Sequence, residues 1–466
     1  MKKSVFYLLL LLVVACDPVD DPANPTDNDT VPQVTDTLEG FYLKNYTLFD
    51  TQSLPHFTLT VPVEEWNMLL QFYDQNPQNE EYVKCDFAAV LADSSVNISQ
   101  CGLRLKGNTS RRRPEGGNGE LHKTTGADWH HASFAVKFNK NVADQKFNGK
   151  ERVHLKWFKD DAMYVREVYC YDLFRRFGVW TAPLSGYCKL SIQVSGDTKP
   201  AYYGVYEIIE TVDAEYLKDR KDRFGGTKGN LWKANWGADF VNADVSRMGI
   251  ENITLTNTYT PVYDYKSDPA NVELAKLQLR DFITNLKNKT GDDFKTWITT
   301  AMDVPLFLKT YSVNVVCGMW DDYWTNKNNF YFYFNEEGKF FFIPFDYDNT
   351  LGTSQIMKDA GTQDVMNWGN NSNLLVKKII SIPEYETLYK SYLNELINAN
   401  NKLFYVTASA ARIQSWQNMI KNDITNDTGE DMIIQDVPAS WGNCSFYRLL
   451  GNTNNFFVTK AASVPK

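Results

Sequence analysis

"FFIPFDYDNTLG", residues 341–352, sets Asp346 and Asp348 one residue apart at the close of an apolar, aromatic run. The run reads as a strand. "NFYFYF" before it reads as its antiparallel partner across the turn "NEEG". Two acids ending an aromatic strand beside a core are costly to desolvate unless a cation or hydrogen-bond donors satisfy them. Upstream, Asp303 is a good helix N-cap with Pro305 in the first turn, and that helix runs to about Met319. It delivers the chain to Asp321 and Asp322, and Asn326, Asn328 and Asn329 follow at once.

This order of parts discriminates between two phosphate chemistries. In a haloacid-dehalogenase-type phosphatase the Asp-x-Asp-x-Thr-Leu string makes Asp346 the nucleophile and Asp348 the acid/base. The strand before them must then be central in a parallel sheet fed by crossover helices. Later segments such as "LFYVT" (403–407) and "GEDMIIQD" (429–436) would have to complete the site. An antiparallel hairpin is the wrong context for it, and too few strands follow.

A kinase-like centre asks for a lysine on a strand, a helix whose Glu pairs with it, and a hairpin leading to a hinge. It then needs a helix running into a loop with an Asp base and a metal-binding Asn, and a short hairpin ended by a metal-binding Asp. The chain offers each in that order. "FAVKF" supplies Lys137, the helix at 165–177 supplies Glu167, and the hairpin at 187–210 ends at Glu210. The loop supplies Asp321, Asp322 and the asparagines, and the second hairpin supplies Asp346 and Asp348. Asp and Asn are the hard oxygen ligands that magnesium takes. The basic stretch "LRLKGNTSRRR" offers Arg104, Lys106 and Arg111 to grip phosphate.

The chain has 466 residues, 43% of them hydrophobic and 14% aromatic, which predicts a well-cored globular protein of two or three domains. Lys2 and Lys3, the apolar run from Val5 to Val14, and then Ala15 and Cys16 read as a secretory signal. "VVAC" looks like a bacterial lipobox. It implies lipid on Cys16 and a lipoprotein tethered in the cell envelope, at the outer membrane or surface of a Gram-negative bacterium. Residues 17–40 carry Asp17, Asp20, Asp21, Asp27, Asp29, Asp36 and Glu39 and no base, so they read as an extended, disordered acidic tether. With the net charge of −9 concentrated there, the remainder is near balance, which argues against a nucleic-acid binder. Export permits disulfides, and Cys85 and Cys101 fall in neighbouring strand-like runs. The absence of C-x-x-C argues against a zinc ribbon. His122, His130 and His131 cluster in the loop at 107–132 and read as surface histidines.

The expected fold class is therefore α+β: an atypical, kinase-like, two-lobed fold. Residues 41–211 would form a mainly antiparallel N-lobe, and residues 212–466 a helical C-lobe with an irregular stretch at 212–266. Five blocks support a more specific reading: "LRLKGNTSR", "ERVHLKWFKDDAMYVREVYCYDLFRRFGV", "YYGVYEIIETVD", "GNLWKA" and "NNFYFYFNEEGKFFFIPFDYDNTLG". In order, over residues 55–355, they resemble the blocks of the CotH family, atypical protein kinases of the spore-coat type. The resemblance implies binding of ATP with Mg2+ or Mn2+ and phosphorylation of Ser or Thr on a protein. It implies Asp322 as base, Asn329 and Asp346 on the metal, Lys137 near the phosphates, and Glu210 and Lys233 around the nucleotide. Where the family carries a Lys pair before the Lys137 strand, this chain has "HHAS". The spacing from Asp322 to Asn329 is also about two residues long, and taking Asp321 as base with Asn326 on metal restores the spacing of protein kinases. The alternative is an inactive binding protein on the same scaffold, for a glycan or envelope partner, which 12 Trp and 26 Tyr would suit.

Overall fold

Apolar residues at every second position let seven strands share one inner face. In a computed structural model of the protein these are β1 (His56–Val61), β2 (Val83–Val90), β3 (Ser95–Lys106), β4 (Ser133–Lys137), β5 (Arg152–Lys156), β6 (Ser185–Val194) and β7 (Ala201–Ile209). The structure describes residues 48–424 and 455–465 together with Tyr42, apart from 109, 126–127, 160, 162, 253–260, 353–360 and 370–372. The leader, Cys16, the acidic tether, Cys444 and the segment 429–436 lie outside the described residues. Residues Tyr46–Lys466 cluster as one unit and Met1–Asn45 as another. Among the described residues, no helix is long and apolar enough to cross a membrane.

The strand order is β1-β2-β3-β4-β5-β7-β6, and parallel pairing of β6 with β1 closes it into a barrel whose other pairings are antiparallel. The expected antiparallel sheet is present, but it has no open edge, because closure pairs every strand on both sides. Phe57, Phe87, Phe138 and Phe147 fill one end, with ring centroids 4.9–5.6 Å apart. α1 (Val63–Gln75) connects β1 to β2, and α2 (Arg166–Arg176) lies between β5 and β6. Cys85 and Cys101 face one another across β2 and β3, the neighbouring strands in which the sequence placed them, and are free thiols in this structure.

A second sheet has the order β12-β11-β8-β10-β9. It joins β8 (Asn230–Ala234), β9 (Met248–Gly249) and β10 (Tyr263–Tyr265) to the hairpin β11 (Phe330–Phe334) and β12 (Phe340–Pro344). The stretch at 212–266, expected to be irregular, thus holds three short strands. β12 is an edge strand of an antiparallel pair, and "LFYVT" forms a turn and a helix start, so a phosphatase sheet is absent from the described residues. Helices complete the chain: α3 (Ala214–Asp219), α4 (Lys221–Phe224), α5 (Val272–Asn288), α6 (Gly291–Ala301), α7 (Val304–Cys317), α8 (Leu374–Ile380), α9 (Pro383–Ile397), α10 (Val406–Ile420) and α11 (Phe456–Ala462). α7 is the buried axis of this part. Asp303 caps it through Leu306 N at 3.0 Å, and Gly318, at φ 68°, ends it in the left-handed conformation that favours glycine.

At the end of β7, Glu210 is buried between the Arg220 guanidinium at 2.6 Å and the Lys150 ammonium at 3.0 Å. Burial alone would raise its pKa, but Arg220 and Lys150 bring it down to about 2. A folded-state value below the ordinary 4.5 contributes stability that is full above pH 4.5 and lost as pH falls towards 2. Glu210→Ala strands the buried Arg220 guanidinium and leaves Lys150 only Asp219, and should cost about 3–5 kcal/mol in chemical denaturation. Glu210→Gln should flatten the loss of stability on acidification.

Candidate active site

α2 carries the first part of the site, and its start is fixed by a buried acid. Asp161 accepts hydrogen bonds from Val165 N and Arg166 N at 3.0 and 2.9 Å and pairs with the Arg166 guanidinium at 2.6 Å. This satisfies amide groups that a helix N-terminus leaves open. One residue on, Glu167 points at the chain that leaves β12. Tyr347 N donates to Glu167 Oε1 at 3.0 Å, and Asp346 N donates to the Tyr171 hydroxyl at 3.0 Å. Tyr347 in turn donates to Asn314 on α7 at 2.9 Å. These bonds hold Asp346 at φ 65°, a left-handed backbone that costs a non-glycine residue about 1–3 kcal/mol and persists where the surroundings over-determine it.

The lysine that meets Glu167 is Lys156, at the end of β5. Its ammonium lies 2.5 Å from Glu167, 2.5 Å from Asp346 and 3.0 Å from Asp348. Burial opposes its charge, but the carboxylates of Asp346, Asp348 and Glu167 more than offset this and hold its pKa well above the usual lysine value. Burial also works against the Asp346 carboxylate, yet Lys156, Lys106 and Lys233 bring its pKa below the usual value. Asp348 goes the other way, to about 8, because burial and its acidic neighbours Asp346 and Glu167 outweigh Lys156. Glu207, opposite Lys156 on β7, is pushed far up by burial and by Glu167. Asp346 and Asp348 keep 34% and 24% of their side chains open, so the cluster has one accessible side. Behind it, Asp348 and Glu207 line a void of about 10 Å³, room for one water and no more, so a larger ligand must come from the open side.

The two adjacent acids of the 321–329 loop are sorted by the fold. Asp322 turns inward: its Oδ1 accepts from Trp324 N at 3.0 Å and Thr325 N at 3.3 Å, and it is 1% exposed. Asp321 faces the cluster. Its oxygens accept from the amides of Asn326 at 2.6 Å, Asn328 at 3.1 Å, Asn329 at 3.1 Å and Asn349 at 3.4 Å. Asn349 also donates to Asp348 at 2.9 Å and so ties the loop to the strand end. Burial, with Asp346 close by, raises the Asp321 pKa despite the amides. Burial raises that of Asp322 far more.

The other expected residues are distributed more widely. Lys137 is level with Gly102 and Arg152, at the far end of β4 from Lys156, about 13 Å along the strand. The pairing expected for Lys137 with Glu167 is therefore made by Lys156. Arg104 and Arg111 both reach Glu80, at 3.0 and 3.4 Å. Arg111 also donates to the carbonyls of Gly107 and Asn79 at 2.8 and 2.9 Å, holding the loop between α1 and β2. Glu210 is committed to Arg220 and Lys150. Lys106 lies close enough to Lys156 and Asp346 to feel both, and burial together with Lys156 lowers its pKa to about 8. Lys233, on β8 beside Tyr331, is among the cations that hold down the Asp346 pKa. Of the loop histidines, His122 is enclosed rather than superficial, held between Glu115 at 2.8 Å and Asp197 at 2.9 Å. The sequence does not single out Lys156 because β5 is too short for a period-2 signal; its one clue is "VHLK", with Val153 and Leu155 alternating against His154 and Lys156. Glu207 lies inside a nine-residue strand that is legible in the sequence, but only the register that sets it opposite Lys156 marks it out.

The donors fit a hard divalent cation. Glu167, Asp346 and Asp348 each offer an oxygen within 4.8 Å of the others. The side-chain oxygens of Asn328 and Asn349 are buried without a partner nearby. All are the ligand types magnesium and manganese take. A family model described as CotH kinase protein matches residues 103–445, and a search of the curated proteins found no match.

Replacing Lys156 by methionine leaves three carboxylates crowded around an apolar tip. Because Asp346 is one-third open, the expected loss is about 2–3 kcal/mol, below the cost of a fully buried pair. Mg2+ or Mn2+ should then raise the melting temperature of Lys156→Met more than that of the wild type, and adding Asp346→Asn should remove this gain.

Proposed function

Because the chain belongs to the CotH kinase protein family, we propose that it is a protein kinase that uses ATP with Mg2+ or Mn2+ to phosphorylate Ser or Thr on a protein acceptor. The observation that carries this is the meeting of Lys156, Glu167 and Asp346 beside Asp321. A strand lysine paired to a helix glutamate, a hairpin-end aspartate and a loop aspartate are the parts phosphoryl transfer requires. In this reading the barrel stands as one lobe and the second sheet with its helices as the other.

Phosphoryl transfer needs positioning and charge compensation more than covalent help. Lys156, fixed by Glu167, offers its ammonium to the non-reacting phosphates. Asp346 and Asp348, with Asn328 and Asn349 beside them, would hold the divalent cation, which when bound supplies positive charge to the transferring phosphoryl oxygens. Asp321, oriented by four amides, accepts the proton of the acceptor hydroxyl at a carboxylate oxygen. The fold leaves Asp321 facing the cluster and Asp322 inside, so the base is assigned to Asp321, and Asp322 shapes the loop. Asn326 and Asn329 orient Asp321 through their amide groups. Export and anchoring through a lipid on Cys16 are part of the same proposal and place the acceptor among envelope or surface proteins.

The test is transfer of labelled phosphate from ATP to a Ser-rich acceptor with Mg2+ or Mn2+. Asp346→Ala should abolish transfer. Asp321→Asn should lower kcat by about 10²–10⁴-fold with little change in nucleotide affinity. Activity should rise with pH as the elevated Asp321 pKa is passed. Nucleotide-dependent stabilisation without transfer to any acceptor would leave a binding protein on this scaffold, and neither effect with either metal would overturn the kinase reading.

A further inference from the structure

His154 sits two residues before Lys156 on β5, and the two-residue period of a strand sends both side chains to the same face. It is 8% exposed, and neither ring nitrogen has a hydrogen-bond partner. A buried imidazole without a bond is costly, and such groups are usually paired. Its row across the barrel runs Arg104, Ala135, His154, and the neighbouring row begins with Lys106 and Ser133. The outer face of β3–β5 thus presents Arg104, Lys106, Arg152 and Lys156 around the small side chains of Ser133 and Ala135. Burial first, and then Lys106, Arg152, Arg104 and Lys233, keep the ring uncharged. Arg104 is already paired with Glu80 and Lys156 with three carboxylates, and the further positive charge around this histidine comes from Lys106, Arg152 and, from the second sheet, Lys233. An anion with several acceptor oxygens would meet both needs, taking a hydrogen bond from the ring and balancing the charges beside it.

We propose that the outer face of β3–β5 centred on His154 seats the polyphosphate of the nucleotide, with His154 donating a hydrogen bond to a non-reacting phosphate oxygen. This rests on the kinase reading above. Along the strand His154 lies about 7 Å from Lys156, a reach that a polyphosphate spans. Asp346 marks the reacting end, with Lys156 beside it on the non-reacting phosphates. His154 marks the stretch of chain leading away from it. Its part is to position the phosphates; it takes no part in moving the proton.

The experiment measures binding of Mg-ATP, Mg-tripolyphosphate and adenosine to the full chain by calorimetry, in the wild type, His154→Leu, His154→Gln and Lys156→Met. The leucine variant should melt no lower than the wild type, since an unpartnered polar group is replaced by an apolar one. It should bind Mg-ATP and Mg-tripolyphosphate about tenfold more weakly. KM for ATP should rise while kcat stays within about twofold. Glutamine, which keeps a donor, should recover most of the loss, and adenosine binding should be unchanged throughout. A leucine variant that binds both polyphosphates as the wild type does, while Lys156→Met binds them weakly, overturns the role of His154 and leaves the kinase reading standing. A wild type that binds neither polyphosphate overturns both. Should the leucine variant fail to fold, the wild type decides alone. The chain has five histidines, and selective labelling should show the His154 ring resonances moving with Mg-tripolyphosphate; resonances that stay fixed at saturation overturn the proposal.

Discussion

A single ammonium group joins three separate parts of the molecule. Lys156 belongs to the barrel, Glu167 to the helix packed outside it, and Asp346 and Asp348 to the chain leaving the second sheet, and they meet within 3.0 Å of one nitrogen. Partial burial makes each of those contacts stronger than it would be in water, and removing the ammonium leaves three carboxylates facing one another. The consequence is geometric as much as energetic. The chain leaving the edge strand β12 passes through the left-handed residue Asp346, and Tyr171 and Glu167 from α2 hold the backbone there by accepting hydrogen bonds from Asp346 N and Tyr347 N. Moving any one of the three elements breaks contacts to the other two.

The neighbouring loop shows how strongly environment, rather than residue type, sets a role. Asp321 and Asp322 are adjacent and chemically identical. One collects amide groups from four asparagines and looks at Asp346; the other is sealed beneath the loop and takes two backbone amides. Burial lifts the pKa of both, but only the first faces the cluster of Asp346 and Asp348. Asn349 couples this loop to Asp348, so Asp321 and the acids of the strand end are mechanically one assembly.

Charge elsewhere is mostly consumed by architecture. Arg104 and Arg111 are tied to Glu80, and Arg111 also to loop carbonyls; Glu210 is tied to Arg220 and Lys150; His122 is closed between two acids. In the sequence such residues look like candidates for phosphate or metal because they cluster with glycine in a polar loop. A basic residue in a loop and one saturated by carbonyl oxygens have the same letter and the same neighbours. Only the partner distinguishes them, and several of those partners, Asn79 and Glu80 for Arg111, Lys150 for Glu210 and Asp197 for His122, are 31 to 75 residues away in the chain.

Local patterns were enough to place the β11–β12 hairpin, the capped helix α7 with its loop of aspartates and asparagines, the helix bearing Glu167, and the pair Asp346 and Asp348 at a strand end. Each is written in short-range terms: alternation, a 3.6-residue stripe, an N-cap, a turn. The closure of the first sheet, the three short strands at 230–265, the choice of Lys156 over Lys137 and of Asp321 over Asp322 as the acid facing the cluster were decided only by the tertiary structure. The physical reason is common to all of them. Strands of two to five residues carry too little periodicity to announce themselves, and a charged side chain acquires its partner from long-range strand register, which no local rule encodes. β5 lies between β4 and β7 because its backbone hydrogen bonds find partners there, and that register, not its own five residues, carries Lys156 to Glu167.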